Sequence, residues 1–200
     1  MNFLYTLRIL GILLMLFSTA QLFPAAVAYY FNEISLIKVF FNTLLATFLC
    51  GFFLYITNSS RKEDLRTKDG FIITVLFWTV LAIFGSFPFI FAEELEITLV
   101  DSLFESISGL TTTGATVLTG LDELPRSILF YRQLLQWLGG MGIIVLAVAV
   151  LPLLGIGGMQ LYKAETPGPL KDAKLTPRIK ETAKALWYVY LTMTILCAAF

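Results

Sequence analysis

Four long apolar stretches, none of which contains a charged side chain, dominate the pattern of this 200-residue chain. They lie between residues 8 and 33, 38 and 61, 69 and 93, and 132 and 163. Each stretch is longer than the roughly 20 residues that an α-helix needs to cross the hydrocarbon core of a bilayer. The pattern therefore predicts an all-α integral membrane protein that crosses the membrane several times.

The composition excludes several classes of function. Hydrophobic residues make up 58% of the chain and charged residues 14%, whereas globular proteins have about 25% charged residues. Fourteen basic and fourteen acidic residues cancel, so no basic surface suggests nucleic acid. Histidine, the commonest general base and metal ligand, is absent, and Cys50 and Cys197 are interpreted as packed thiols inside apolar runs. We therefore expect neither enzyme activity nor an organic cofactor.

The distribution of basic residues orients the predicted helices. Segments 61–69 and 163–184 are rich in Lys and Arg, whereas segment 93–132 holds seven carboxylates and two arginines. Because cytoplasmic loops carry the excess of positive charge, we expect both basic loops and the N-terminus in the cytoplasm and the acidic segment outside. Cleavage of the first run as a signal peptide near Ala28 is the alternative, and it leaves the later topology unchanged.

The segment from residue 98 to residue 116 is typical of a re-entrant pore loop. Apolar residues at Leu99, Leu103, Ile107 and Leu110 share one face of a helix. A helix over 98–110 is only about 20 Å long, too short to cross a bilayer. The sequence Thr-Thr-Thr-Gly-Ala-Thr then occupies residues 111–116, hereafter the Thr/Gly segment. Its β-branched residues favour extended backbone, and Gly114 can adopt a positive φ.

Extended backbone at membrane depth survives only where protein or water satisfies it. Carbonyl oxygens turned toward one axis can replace the hydration shell of a cation, and the negative end of the short helix favours the same ion. We therefore predict that the backbone of the Thr/Gly segment can hold a dehydrated cation such as K⁺. An ordinary outer loop with a Ser/Thr-rich turn remains the alternative.

The roles of the nearby acidic residues are left open to different degrees. Glu93, Glu94 and Glu96 either concentrate cations at a pore mouth or form a solvated loop. For Asp101 and Glu105, on the short helix, capping or packing is favoured over ion binding.

Glycines and prolines mark the remaining organisation. Gly139, Gly140 and Gly142 allow close backbone approach to a neighbouring element, and Thr176 with Pro177 predicts the start of a later helix. The predicted segments are two additional N-terminal helices (1–60), a cytoplasmic loop (61–69), a helix–pore-loop–helix repeat (70–162), a cytoplasmic loop (163–184) and the start of a second repeat (185–200). Because the last apolar run has no polar flank, we expect the functional protein to be longer.

Several motifs resemble the Trk/Ktr/HKT superfamily of potassium transporters. Residues 104–106 and 109–116 are similar to the first pore loop of that family. Residues 131–133, 136–137 and 139–142 are similar to the start of the helix that follows. Residues 158–165 and 167–171, together with the extra helix pair, resemble the bacterial TrkH/TrkG branch.

The resemblance implies potassium uptake across the bacterial cytoplasmic (inner) membrane. It implies four linked helix–pore-loop–helix repeats around one pore, a homodimer surrounded by membrane lipid, and regulation by a cytosolic nucleotide-binding ring protein of the TrkA type. Thr111, Thr112, Thr113 and Gly114 would then supply one quarter of the filter. A subunit of a tetrameric cation channel with one pore loop per chain is the alternative. Whether K⁺ moves through a channel or by Na⁺- or H⁺-coupled symport is left open.

Overall fold

The computed structural model describes residues 3–57, 67–150 and 172–199, and the regular structure within them is entirely helical. The α-helices are α1 (Phe3–Ala20), α2 (Leu22–Tyr30), α3 (Ile34–Thr57), α4 (Thr67–Phe91), α5 (Leu99–Leu110), α6 (Arg126–Val150) and α7 (Asp172–Ala199). Short 3₁₀ turns cover Glu93–Leu95 and Leu121–Glu123. The predicted all-α class is confirmed. Of the two predicted loops, residues 61–66 and 163–171 lie outside the described residues, whereas residues 67–69 and 172–184 are helical and belong to α4 and α7.

Three helical segments of the described chain are long and apolar enough to cross a membrane, at residues 6–30, 34–57 and 74–91. The first consists of α1 and α2, which are interrupted at Gln21. Proline lacks an N–H and clashes with the carbonyl four residues earlier, and Pro24 stands four residues after Ala20, where α1 ends. Pro24 therefore accompanies a helix break, whereas α4 continues through Pro88.

The N-terminal helices pack closely through glycine. A Cβ atom added to Gly11 would lie 2.5 Å from the carbonyl oxygen of Gly51, and one added to Gly51 would lie 2.7 Å from the carbonyl oxygen of Gly11. Only residues without a side chain permit such an approach of two backbones. Next to the helix break, the buried Gln21 accepts a hydrogen bond of 2.6 Å from the Thr43 hydroxyl of α3. These contacts hold α1 and α2 against α3.

Residues 1–139 form one compact unit, and Tyr131 of α6 lies at its centre. Its ring contacts Phe40 of α3 and Phe89 of α4, with centroid distances of 5.6 Å and 5.2 Å. Its hydroxyl donates a 2.8 Å hydrogen bond to the carbonyl of Gly85. One aromatic residue thus joins the start of α6 to α3 and α4.

Residues 140–200 form the second unit. Within it, the indole N–H of Trp187 donates to the sulfur of Met141 at 2.8 Å. Helix α7 begins at Asp172, so the prediction that this helix starts at Thr176 and Pro177 was wrong. Residues 172–175 tolerate helical backbone, and a proline further along removes only one backbone hydrogen bond.

Candidate functional site

Helix α5 begins with a capping box. Thr98 is the N-cap; its hydroxyl accepts from the Asp101 N–H at 3.2 Å, and the Asp101 carboxylate accepts from the Thr98 N–H at 3.1 Å. Hydrogen bonds from the Thr98 hydroxyl and N–H hold the pKa of the Asp101 carboxyl below its ordinary value. The capping role favoured for Asp101 is therefore confirmed, and the helix begins one residue later than predicted.

The N–H groups of the Thr/Gly segment are tied to the last turn of α5. Those of Thr113 and Gly114 both donate to the carbonyl of Ser108, at 3.0 and 3.4 Å. The N–H of Thr111 donates to Ile107 at 2.8 Å and that of Thr112 to Gly109 at 2.9 Å. Four successive donors thus satisfy three of the four carbonyls that the end of α5 would leave unpaired.

The carbonyl groups of the same segment are arranged differently. Ala115 accepts from the Ser108 hydroxyl at 2.6 Å, and Thr111 accepts from the Thr112 hydroxyl at 2.7 Å. Within the described residues, the carbonyls of Thr112, Thr113 and Gly114 accept no hydrogen bond. Because residues 111–117 are exposed, three consecutive oxygens are available to an external ligand.

Two residues of the segment adopt left-handed backbone. Gly114 has a φ of 74°, as the sequence predicted, and Thr112 has a φ of 57°. A β-branched residue rarely adopts a positive φ, so nothing in the sequence indicated it at Thr112. A Cβ atom on Gly114 would meet only the Gln136 side chain, at 3.5 Å. Glycine is therefore required there by backbone conformation rather than by space.

A buried carboxylate braces the end of the segment. Glu105 is 2% exposed. One of its oxygens accepts from the Thr116 hydroxyl at 2.6 Å and from the Val117 N–H at 2.7 Å. The other accepts from the Arg132 Nε at 2.8 Å. Both oxygens of Glu105 are engaged, in agreement with the structural role favoured from the sequence.

The pairing of Glu105 with Arg132 was not predictable from sequence spacing, because the two residues are 27 positions apart and lie on different helices. The available signal was Arg132 itself, at the edge of an apolar run. A charged side chain in such a place requires a partner.

Helix α6 contacts the end of α5 through glycine. A Cβ atom on Gly139 would lie 2.0 Å from the carbonyl oxygen of Leu110, and one on Gly109 would lie 3.0 Å from the Cβ of Leu135. The close approach predicted for Gly139 is therefore confirmed. At the mouth of the loop, Glu93, Glu94 and Glu96 are exposed. Glu94 accepts a hydrogen bond from the Ser35 hydroxyl.

Residues 36–200 match the TrkH family model, described as a cation transport protein. The chain is 58% identical over 198 residues to the Trk system potassium uptake protein TrkH of Vibrio parahaemolyticus, covering 99% of this chain and 41% of the relative. It is 49% identical over 187 residues to the Trk system potassium uptake protein TrkG of Escherichia coli K12, covering 94% of this chain and 38% of the relative.

The fold is also similar to a solved structure. The crystal structure of the potassium transporter TrkH from Vibrio parahaemolyticus superposes with a TM-score of 0.84 at 52% identity, over 100% of this chain and 39% of that one. The chain thus spans about two fifths of the length of the relatives that it matches. These similarities confirm the resemblance stated from the motifs and the expectation that the protein is not an enzyme. The chain belongs to the TrkH family of cation transport proteins.

Proposed function

We propose that the chain contributes one pore loop to a protein that takes up potassium ions across a membrane. One observation carries the proposal: the N–H groups from Thr111 to Gly114 are all bound to α5, while the carbonyls of Thr112, Thr113 and Gly114 are unpaired in the described structure. A segment with its donors used and its acceptors open is suited to a cation and offers nothing to an anion. The printed names of the relatives, which are potassium uptake proteins, support the choice of ion.

In this proposal Thr111, Thr112, Thr113 and Gly114 form one quarter of a filter, and three similar segments of a longer chain complete it. The last turn of α5 faces the segment with its negative dipole end, which lowers the energy of a cation held there. Thr112 and Gly114 set the directions of the carbonyls, since each turns the backbone into the left-handed region. The hydroxyls of Thr111 and Thr113, 2.8 Å apart, brace the segment.

The test is to substitute Gly114 by Ala in the full-length transporter. An L-residue in left-handed backbone costs about 1–2 kcal/mol, and the variant would relieve this strain by rotating the adjacent peptide. We expect the preference for K⁺ over Na⁺ to fall by about tenfold, since about 1.4 kcal/mol corresponds to a factor of ten. Thr113→Ala keeps every backbone group and should change the preference less. The measurement is uptake of K⁺ and Na⁺ in cells that lack other potassium transporters, with surface expression determined for each variant.

Gly120→Ala is the matched control. Gly120 also has a positive φ, of 63°, and a Cβ atom there would meet only Glu123, at 3.9 Å. The substitution therefore introduces the same kind of backbone strain outside the Thr/Gly segment. If Gly114→Ala and Gly120→Ala leave the same preference for K⁺, the segment is not a filter.

We further propose the setting in which this pore loop works. The N-terminus and residues 163–184 lie on the cytoplasmic side of a bacterial inner membrane, because cytoplasmic loops carry the excess of positive charge. A homodimer and a ring protein of the TrkA type are the proposed partners, and the six basic residues of segment 163–184 suit contact with the ring. Neutralising Lys171, Lys174 and Lys180 together should weaken co-purification of the ring protein. Unchanged binding would leave these residues only the role of setting topology.

A further inference from the structure

The turn between α2 and α3 fixes a carboxylate in place. Asn32 adopts left-handed backbone with a φ of 59°, and its N–H donates to the Tyr29 carbonyl at 3.2 Å. The N–H of Glu33 donates to the Ala28 carbonyl at 2.8 Å. Both bonds close the turn on the end of α2. The backbone of Glu33 is therefore held by the N-terminal helices themselves.

The Glu33 side chain caps a helix that begins 93 residues later. Its carboxylate accepts from the N–H of Arg126 at 2.7 Å and from the N–H of Ser127 at 3.1 Å. It also accepts from the Ser127 hydroxyl. These N–H groups open α6 and have no partner inside the helix. The negative charge also lies at the positive end of the α6 dipole.

No local residue supplies this cap. Pro125 stands where an N-cap side chain would accept these hydrogen bonds, and its ring carries no acceptor. Its carbonyl receives the N–H groups of Ile128 and Leu129, at 3.1 and 3.2 Å. Helix α5, by contrast, is capped by its own Thr98. The start of α6 is therefore attached to the N-terminal helices by a charged group.

The next turns of α6 carry the residue that braces the Thr/Gly segment. Arg132 lies five residues beyond Ser127, about 7.5 Å along the helix axis at about 1.5 Å per residue. It holds Glu105, which in turn holds Thr116 and Val117. Because a helix moves as a rigid element over this distance, a displacement of its first turn is passed to Arg132.

We propose that Glu33 is a positioning residue for the Thr/Gly segment. By fastening the first turn of α6 to the N-terminal helix pair, it sets the place at which Arg132 meets Glu105. The additional helices thus share in determining the geometry of the pore loop. The selectivity part of this proposal rests on the proposed function, whereas the mechanical link between Glu33 and Glu105 does not.

The experiment uses the purified full-length transporter with Glu33→Gln, Glu105→Gln and the double variant. Glu33→Gln keeps the shape and one acceptor oxygen while it removes the charge, and Glu33→Ala removes both. Residues that share no partner are expected to shift the melting temperature additively. We expect the melting-temperature shift of the double variant to differ clearly from the sum of the two single shifts. In uptake assays we expect the preference for K⁺ over Na⁺ to fall by about threefold in Glu33→Gln and further in Glu33→Ala, since charge-assisted bonds are the stronger ones.

Ser35→Ala is the control, because it removes the neighbouring link from α3 to Glu94 and leaves α6 untouched. It should change neither the non-additivity of the melting shifts of Glu33→Gln and Glu105→Gln nor the preference for K⁺ over Na⁺. Additive melting shifts for Glu33→Gln and Glu105→Gln would overturn the proposal. So would an unchanged ion preference in Glu33→Gln when Gly114→Ala does alter it. A third outcome is possible: neither Glu33→Gln nor Gly114→Ala alters the ion preference, while the melting shifts of Glu33→Gln and Glu105→Gln are non-additive. In that case the mechanical link stands and the proposed filter is refuted. Should Glu33→Ala fail to reach the membrane, Glu33→Gln decides alone.

Discussion

The buried pair of Glu105 and Arg132 predicts an unusual order of stability among variants. Replacing Arg132 by Met leaves a carboxylate that is 2% exposed without its charged partner. Removing one member of a buried ion pair costs about 3–5 kcal/mol, because the remaining charge stays desolvated. Arg132→Met should therefore be among the most destabilising single substitutions in this region.

The double variant Glu105→Gln with Arg132→Met should be more stable than Arg132→Met alone. The glutamine oxygen can still accept from Thr116 and Val117, which hold it at 2.6 and 2.7 Å in the native protein. No buried charge then remains. Replacement of a buried ion pair by neutral groups of similar volume is often close to neutral in energy, so we expect most of the loss to be recovered.

The single variant Glu105→Gln completes the cycle. It keeps the bonds to the segment but points an amide N–H₂ at the Arg132 Nε, so that two donors face each other. The Arg132 charge also loses its partner, but its side chain is 9% exposed and that of Glu105 is 1% exposed, so the orphaned guanidinium is less desolvated than the orphaned carboxylate. Glu105→Gln should therefore lie between the double variant and Arg132→Met. Thermal unfolding of the purified full-length transporter in detergent measures the order. Equal melting temperatures for Arg132→Met and the double variant would refute the reasoning, since the orphaned carboxylate would then cost nothing.

Three further predictions concern packing, capping and topology. Gly139→Ala places a Cβ atom 2.0 Å from the Leu110 carbonyl oxygen, and overpacking of this kind costs about 1–3 kcal/mol. We expect a lower melting temperature and reduced uptake. Wild-type melting and uptake would contradict the close approach of the two helices. Thr98→Ala should lower the folding stability by about 1 kcal/mol through loss of the N-cap, whereas Thr98→Ser keeps the capping hydroxyl and should keep this stability. Because the pKa of Asp101 is lowered in the folded protein, its carboxylate contributes to folding stability at pH values above the ordinary carboxyl pKa. This contribution is lost as pH falls through the lowered pKa. Asp101→Asn should remove this dependence of the melting temperature on pH. An impermeant thiol reagent on intact cells should label a cysteine at position 94 and not one at position 171, and the reverse pattern would overturn the topology.

Features that depend on neighbouring residues were predictable from the sequence. Charge-free runs located the three spans found in the described residues, because hydrocarbon excludes charge, and apolar spacing located α5. Gly114 was identified as a left-handed residue because only glycine adopts such angles without strain from Cβ. In each case the cause lies within a few residues of the effect.

Features that depend on distant partners were not predictable. The bond from Glu33 to α6 joins residues 93 positions apart, and no residue next to Pro125 indicates that the turn between α2 and α3 supplies the cap. The left-handed Thr112 opposes its own preference and is held there by the bonds between the segment and α5. The helix start at Asp172 differed from the prediction because Pro177 was treated as a boundary, whereas a helix can pass through one proline at the cost of one hydrogen bond.

The backbone N–H groups of the Thr/Gly segment that already donate hydrogen bonds within the chain also protect the segment from misassembly. An exposed stretch rich in β-branched residues can act as an edge to which another strand adds. Here six of the eight amide groups from residue 111 to residue 118 already donate to groups of this chain, those of residues 111–114 together with Val117 and Leu118. A second segment of the same kind would meet mainly acceptors, so the two could not form a ladder. Helix α5 thus protects the exposed stretch from β-aggregation.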